Sequence, residues 1–380
     1  MKNLARHLFN NVSQIQGWHT NRKIVVFESD DWGSIRTNAP STLDVLKKRK
    51  IPFRKSHYNL YDSLASESDL IHLFDVLKSF KDNNDNHPVI TANCLVANPD
   101  FNKIKNSDFK EYYYEFFTET LKRYPEHKNS FNLWNEGMNN KIFHPQSHGR
   151  EHINISRWMN DLQSNFEDVH IAFNLEMYEL GTQKKFKNRG GYLAALDGKE
   201  KDLIYDREKI IDEGLKIFKR IFGYASKSFI APNYIWDDMI EKYIFKNGVE
   251  FIQTRSAQLV STDHNLKRKI RRHYLGQKNK FNQVYLLRNC LFEPSEFNNK
   301  DWVNNCLREI EIAFRWKKPA IISTHRVNYI GYISSKNRDK NLPLLRELLQ
   351  KILKNWPEVE FMTSDQLGNL IINDNIKSLK

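Results

Sequence analysis

Short apolar, β-branched runs alternate along this chain with longer stretches whose apolar positions recur three and four residues apart. The first pattern predicts strands and the second helices. The clearest strand covers residues 23–29 (KIVVFES) and runs into Asp30, Asp31, Trp32 and Gly33. Further strands are predicted over 88–94, over a run ending near Gln146, and over 227–231, 250–254, 283–289, 319–324 and 358–362. Helical patterns fill 206–222, 236–247, 302–316 and 342–356. Strand and helix taking turns at this spacing point to parallel βαβ units. Seven or eight such units predict an α/β fold in the form of a closed (β/α)7-8 barrel rather than an open sheet.

No internal repeat is visible, so one barrel is expected to span 1–380. Leu4, Leu8, Val12 and Ile15 form an amphipathic stripe that predicts an N-terminal helix over about 1–20. Packing against the barrel is the expectation for that stripe, and peripheral membrane contact is the alternative. Two segments interrupt the rhythm and are read as insertions: 166–201, with Gly181, Gly190, Gly191 and Gly198, and the lysine- and arginine-rich 265–280. The second is expected to be a solvated loop, or else the edge of a groove for an anionic glycan or a phosphate-linked carrier.

Of the 380 residues, 40% are hydrophobic and 28% charged, which supplies a large core and excludes disordered, collagen-like and disulfide-scaffold classes. Cys94, Cys290 and Cys306 are widely spaced and form no C-x-x-C pair, so a zinc ribbon is excluded and a reducing compartment expected. No apolar run reaches the roughly 18 residues of a membrane span. The first residues lack the apolar centre of a secretory signal, and a cytoplasmic location is expected. A formal net charge of +13 suits an anionic glycan, a phosphate-bearing substrate or an anionic surface, although lysine- and asparagine-rich drift gives the same excess. No reading helix or RNA-binding aromatic motif accompanies it, so no nucleic-acid partner is expected.

Three clusters that can carry chemistry each follow a predicted strand, where barrel folds gather their catalytic loops. The first is Asp30 and Asp31. Adjacent carboxylates repel and raise each other's pKa unless a cation is shared or each caps a turn. The second is His148 with His152, four residues apart, a spacing that brings two imidazoles to one side of a turn and that also arises incidentally. This pair is predicted in a strand-to-helix loop. The third is His325, after the apolar run Ala320-Ile321-Ile322, either a proton donor for a leaving group or a surface histidine.

Taken in order, Asp30-Asp31, His148-x-x-x-His152, the segment Phe229-Ile230-Ala231-Pro232-Asn233-Tyr234 and His325 resemble the motifs of the NodB-type polysaccharide deacetylases (carbohydrate esterase family 4). The resemblance spans about 23–365 on a handful of positions. It implies a deformed (β/α) barrel of about seven strands that holds one divalent metal through Asp31, His148 and His152, most simply zinc, with cobalt or nickel acceptable to the same donors. It also implies hydrolysis of an N-acetyl or related N-acyl group on a sugar or a nucleotide- or lipid-linked sugar carrier. Asp30 would be the base toward water activated by the ion, His325 the acid toward the departing amine, and a backbone N–H near Tyr234 an oxyanion donor.

Several positions depart from the pattern. Ala231 stands where an arginine usually positions the catalytic aspartate, and Arg36, Arg150, Arg255 and Arg326 are candidates to replace it. Ser323 stands where a leucine normally meets the acetyl methyl, Gly149 where a small hydroxyl residue follows the first histidine, and Arg326 where an acidic or amide residue follows the last. Trp32, Pro232, Tyr234, Trp236, Asn328 and Tyr329 are candidates to line a sugar site, the aromatics being equally suited to the core. Two other functions stay open: a metal-dependent amidohydrolase of a small cyclic amide or formamide, favoured by Ser323, and a catalytically inactive glycan-binding barrel, favoured by the missing arginine.

Overall fold

The computed structural model describes residues 11, 14–53, 55–181, 191–198, 205–261, 269–296 and 300–377. Eight parallel strands form its main sheet: β1 (Ile24–Trp32), β2 (Ile90–Leu95), β3 (Phe143–Gly149), β4 (Ser228–Ile230), β5 (Phe251–Thr254), β6 (Val284–Leu287), β7 (Cys290–Leu291) and β8 (Ala320–His325). Their order is β6-β5-β4-β3-β2-β1-β8-β7, and a short β9 (Glu360–Phe361) lies beside the start of β1. The strands are therefore joined in an α/β arrangement, as the periodicity predicts.

The two edge strands are consecutive in sequence. The predicted strand 283–289 is split after Leu287, where the Arg288 N–H donates to the Thr254 carbonyl on β5 and the Asn289 N–H donates to the Ile321 carbonyl on β8. One segment thus pairs first with one edge and then with the other, curling the sheet into seven staves. A regular strand would keep pairing with β5. The switch between neighbours is the deformation that closes the ring, and it falls on Arg288.

Helices cover the outside. They are α1 (Glu67–Lys78), α2 (Ser130–Asn139), α3 (Arg207–Phe222), α4 (Asp238–Lys246), α5 (Trp302–Arg315), α6 (Ser335–Asn355) and α7 (Ser364–Lys377). The start of α1 is fixed by a reciprocal cap between Ser66 and Asp69, and that of α4 by the Asp237 carboxylate accepting from the Met239 and Ile240 amides. That cap places Trp236 outside α4, so the helix begins two residues later than its periodicity predicts. Close packing sets the α7 interface, since a Cβ at Gly368 would stand 2.4 Å from the Phe251 ring.

Side chains on β1 alternate as a strand's period of two requires. Val25 and Phe27 fall in the large apolar cluster with α1 and α2, whereas Ile24 and Val26 join a second cluster with Ile321 and Leu286. Glu28 and Asp30 continue the face of Ile24 and Val26, so the barrel becomes polar toward the C-terminal ends of its strands.

Leu4, Leu8 and Val12 of the predicted N-terminal helix lie outside the described residues. Residues 14–20 are turns and extended chain, with Ile15 exposed. The two insertions are only partly described. Within 166–201 there is a helix over Glu167–Asn174 and a turn at Gly191–Leu193. Within 265–280 the expected loop contains a strand, Ile270–Arg272, antiparallel to Ala257–Val260. Among the described residues, no helix is long and apolar enough to cross a membrane.

Candidate metal and catalytic site

Two irregularities build the site. Consecutive strand residues point to opposite faces, so Asp30 and Asp31 cannot both face inward on a regular strand. The β1–β2 register shifts between Ser29 and Trp32, and Asp31 takes a φ of 71°. This bulge turns the second carboxylate toward the same cavity as the first. A non-glycine residue in that region carries strain of order 1–3 kcal/mol, so the surrounding fold holds Asp31 there.

The second irregularity is at the end of β3, where the register against β2 slips and Gly149 has a φ of 116°. Any Cβ there would meet nothing closer than 3.8 Å, so conformation rather than space favours glycine at 149. His148 is therefore the last inward residue of the strand itself, not part of the loop as predicted, and only His152 lies in the loop.

Together the bulges gather three side chains. His148 Nε2 lies 3.4 Å and His152 Nε2 3.5 Å from Asp31 Oδ1. One ligand atom from each residue can be chosen so that all three lie within 4.8 Å of one another. Their protonation fits a cation. The Ile230 carbonyl, 2.9 Å from His148 Nδ1, can only accept, so Nδ1 carries a proton and it is Nε2 that faces Asp31. Burial holds His152 neutral down to about pH 4 even though Asp31 pulls the other way, and its Nδ1 is buried without a partner. Two imidazole nitrogens and a carboxylate oxygen thus converge in an arrangement that could hold a metal ion. Two nitrogens and one carboxylate suit zinc.

Asp30 lies beside this trio. Its two oxygens accept from Arg288 Nη2 at 2.6 Å and Nη1 at 2.7 Å, and Asn93 Nδ2 donates to Oδ1 at 2.8 Å. Burial raises the carboxyl pKa, but Arg288 more than offsets it and brings it to about 2. Arg288 Nε also donates to Glu28 Oε2 at 2.6 Å. Its forked guanidinium therefore spans two inward carboxylates on one strand, a bidentate geometry that lysine does not offer.

None of the four arginines considered from the sequence holds Asp30. Arg326 is bound to Asp62 and Arg150 to Glu151 and Glu213, while Arg36 and Arg255 make no ion pair with Asp30. Arg288 does so from the break between β6 and β7. Its Nη1 also lies 3.3 Å from Ser323 Oγ. A leucine at 323 would thrust a branched side chain into the space the guanidinium crosses. In this chain the arginine that meets Asp30 comes from the break between β6 and β7, and Ser323 lies beside its guanidinium. Ser323 is buried beside Arg288 rather than lining the cavity with Asp31, so it does not form the acyl pocket expected of it.

Facing Asp30 in register is His325, with Nε2 at 3.8 Å from Asp30 Oδ2. Its Nδ1 is 2.6 Å from Glu293 Oε1, and Glu293 Oε2 accepts from Asn328 Nδ2 at 2.6 Å. Burial disfavours the imidazolium, but Glu293, Asp30 and Asp31 outweigh it and raise the pKa to about 10. Glu293 was not among the sequence candidates. The only hint is a lone carboxylate in the apolar run CLFEP.

The expected sugar-binding residues divide. Tyr234 lines the cavity, its hydroxyl accepting from Arg288 Nη1 at 2.9 Å. Trp32 does not: it is fully buried, packs edge-on to Phe143 and Trp134, and donates to Ser29 Oγ. Trp236 and Tyr329 are equally buried, Asn328 is spent on Glu293 and the Ser295 amide, and Pro232 is buried in its turn. Large amphipathic side chains here bury their area and satisfy their polar atoms internally. The Tyr234 N–H is also unavailable as the expected oxyanion donor, because Asn233 and Tyr234 both have positive φ and the amide donates to the Ala231 carbonyl.

The cavity shared by Asp30, Asp31, His148, His152, Tyr234 and His325 has a volume of about 130 Å3. That holds a small acyl group and the atoms next to it.

No protein-family model matches the chain, and no curated protein matches its sequence. Solved structures do match. A polysaccharide deacetylase from Mycobacterium smegmatis, described as putative, aligns over 95% of this chain and 94% of its own, at 12% identity and a TM-score of 0.44. The peptidoglycan deacetylase PdaC from Bacillus subtilis aligns over 94% and 96%, at 12% identity and a TM-score of 0.35. A 4-alpha-glucanotransferase from Thermococcus litoralis aligns over 91% of this chain at 10% identity and a TM-score of 0.43, and the chain spans 40% of that enzyme's length.

Proposed function

We propose that this chain is a divalent-metal-dependent hydrolase that removes a small N-acyl group, acetyl or formyl, from an amino sugar. One observation carries the reading. An ionised Asp30 and a protonated His325 stand side by side in the cavity that holds Asp31, His148 and His152. A base and an acid flanking three converging ligands are what amide hydrolysis requires.

Asp31, His148 and His152 would hold the ion, most simply zinc. When bound, such an ion supplies Lewis acidity toward the water and the acyl oxygen. The protein's own groups do the rest. Asp30, fixed by Arg288 and Asn93, accepts the proton that water gives up. His325, kept charged by Glu293, donates a proton to the departing amine, which is a poor leaving group unless protonated. Tyr234 bounds the cavity on the side of Arg288. The sugar as the amine component follows from the ordered motifs, and the small acyl group from the cavity volume.

The inactive-barrel alternative was motivated by the missing arginine, and Arg288 removes that motive. The test is release of acetate or formate from N-acetyl and N-formyl amino sugars by zinc-loaded protein, abolished by chelation and restored by zinc. Failure to release either acid from any donor, with zinc bound, would overturn the reading.

A further inference from the structure

Four guanidiniums lie in or near the cavity, and three are committed to protein carboxylates. Arg288 holds Asp30 and Glu28, Arg326 holds Asp62 through Nε and Nη2 at 3.0 and 2.9 Å, and Arg150 holds Glu151 and Glu213. Arg36 is the fourth. It lines the same cavity as Asp31, His148, His152 and His325, yet has no carboxylate within salt-bridge distance among the described residues. Its Nε is buried with no hydrogen-bond partner. Asp62, the nearby acid, already gives Oδ1 to both nitrogens of Arg326.

The position of Arg36 shows which part of a substrate it would meet. Its guanidinium carbon lies 5.6 Å from the Tyr58 ring centre, and the Tyr58 ring is edge-on to His325 at 5.4 Å. His325 serves the departing amine, so Tyr58 and Arg36 extend the cavity toward the sugar rather than the acyl group. A hydroxyl or carbonyl there would accept a hydrogen bond but would not pair with the guanidinium charge. A carboxylate or phosphate satisfies both the charge and the fork.

We propose that Arg36 selects amino sugars bearing an anionic substituent, a carboxylate or a phosphate, near the acylated nitrogen. The proposal rests on the deacylase reading for its orientation. It is tested by calorimetric titration of the zinc-loaded protein, Arg36→Ala and Arg36→Lys with N-acetylglucosamine, N-acetylglucosamine 1-phosphate and N-acetylmuramic acid. Near-ultraviolet circular dichroism checks that each variant is folded.

The expected result is at least tenfold tighter binding of an anionic sugar than of the neutral one. Arg36→Ala should lose that preference and Arg36→Lys should keep part of it. Tighter binding of the phosphate assigns a sugar phosphate, and tighter binding of the muramic acid a sugar carboxylate. Equal binding of all three sugars, no binding of any, or a preference unchanged in Arg36→Ala overturns the proposal. Acetate assayed in the same samples separates the two readings. Arg36-dependent binding without acetate release counts against the deacylase and leaves the anion site standing, whereas acetate release with no anionic preference does the reverse.

Discussion

Arg288 grips both oxygens of Asp30, at 2.6 and 2.7 Å, from the one residue at which the barrel strand changes neighbours. The break that closes the ring also frees Arg288 to cross the interior. Fold closure and orientation of the base therefore depend on the same backbone switch.

Replacing Arg288 should be severe for both stability and turnover. Arg288→Ala leaves Glu28 and Asp30 buried without their cation, and breaking a buried pair in this way costs about 3–5 kcal/mol. Arg288→Lys keeps a charge but loses the fork, so it should fold better while turning over at least tenfold more slowly. Urea unfolding and acyl-release rates on the two variants check this. Wild-type rates in Arg288→Lys would contradict it.

Ser323→Leu restores the residue that the sequence resemblance would place there, yet it should not improve the enzyme. The added side chain competes with Arg288, and overpacking a filled interior costs about 1–3 kcal/mol. Denaturant midpoints and turnover should both fall. A stable, active Ser323→Leu would show that Ser323 does not make room for the guanidinium.

The pH profile should report Glu293. His325 donates only when protonated, so activity holds below its folded pKa of about 10 and falls above it. In Glu293→Gln, burial is no longer offset by that carboxylate, and the alkaline limb should move to lower pH. The sign for stability is the same. A folded pKa raised above the unfolded value near 6.5 stabilises fully below pH 6.5, and that contribution is lost as pH rises toward 10. Rate profiles of both proteins with the same ion bound check the shift, and an unmoved limb would contradict it.

Trp32 offers a contrast with the cavity residues. Trp32→Ala empties a buried position among Trp134 and Phe143, and large-to-small changes of this kind cost about 3–5 kcal/mol. Its effect should be read in the melting temperature rather than in sugar affinity. Loss of sugar affinity with unchanged stability would return Trp32 to the binding site.

Much of this was legible in the sequence because strand ends announce themselves. Asp30, Asp31 and His325 each follow closely on an apolar run, and His152 trails His148 by four residues. Arg288 was not legible. It closes the apolar run Val284–Leu287 inside what reads as one continuous strand, and only the change of hydrogen-bonding neighbour reveals the break. An arginine ending such a run is the signal that could have found it. Glu293 hid for a similar reason, in a loop whose burial periodicity does not encode. Trp32, Trp236 and Tyr329 misled because an aromatic at a strand end has the same pattern whether it faces a cavity or the core, and here packing decides.

The most direct test is the metal itself. Zinc content after dialysis and zinc X-ray absorption should show one ion per chain with two imidazoles and oxygen donors at about 2.0–2.2 Å. Asp31→Ala and His148→Ala should each lose most of that zinc while Asp30→Asn retains it. Full occupancy in both ligand variants, or a folded wild-type chain that takes up neither zinc, cobalt nor nickel, would contradict the site.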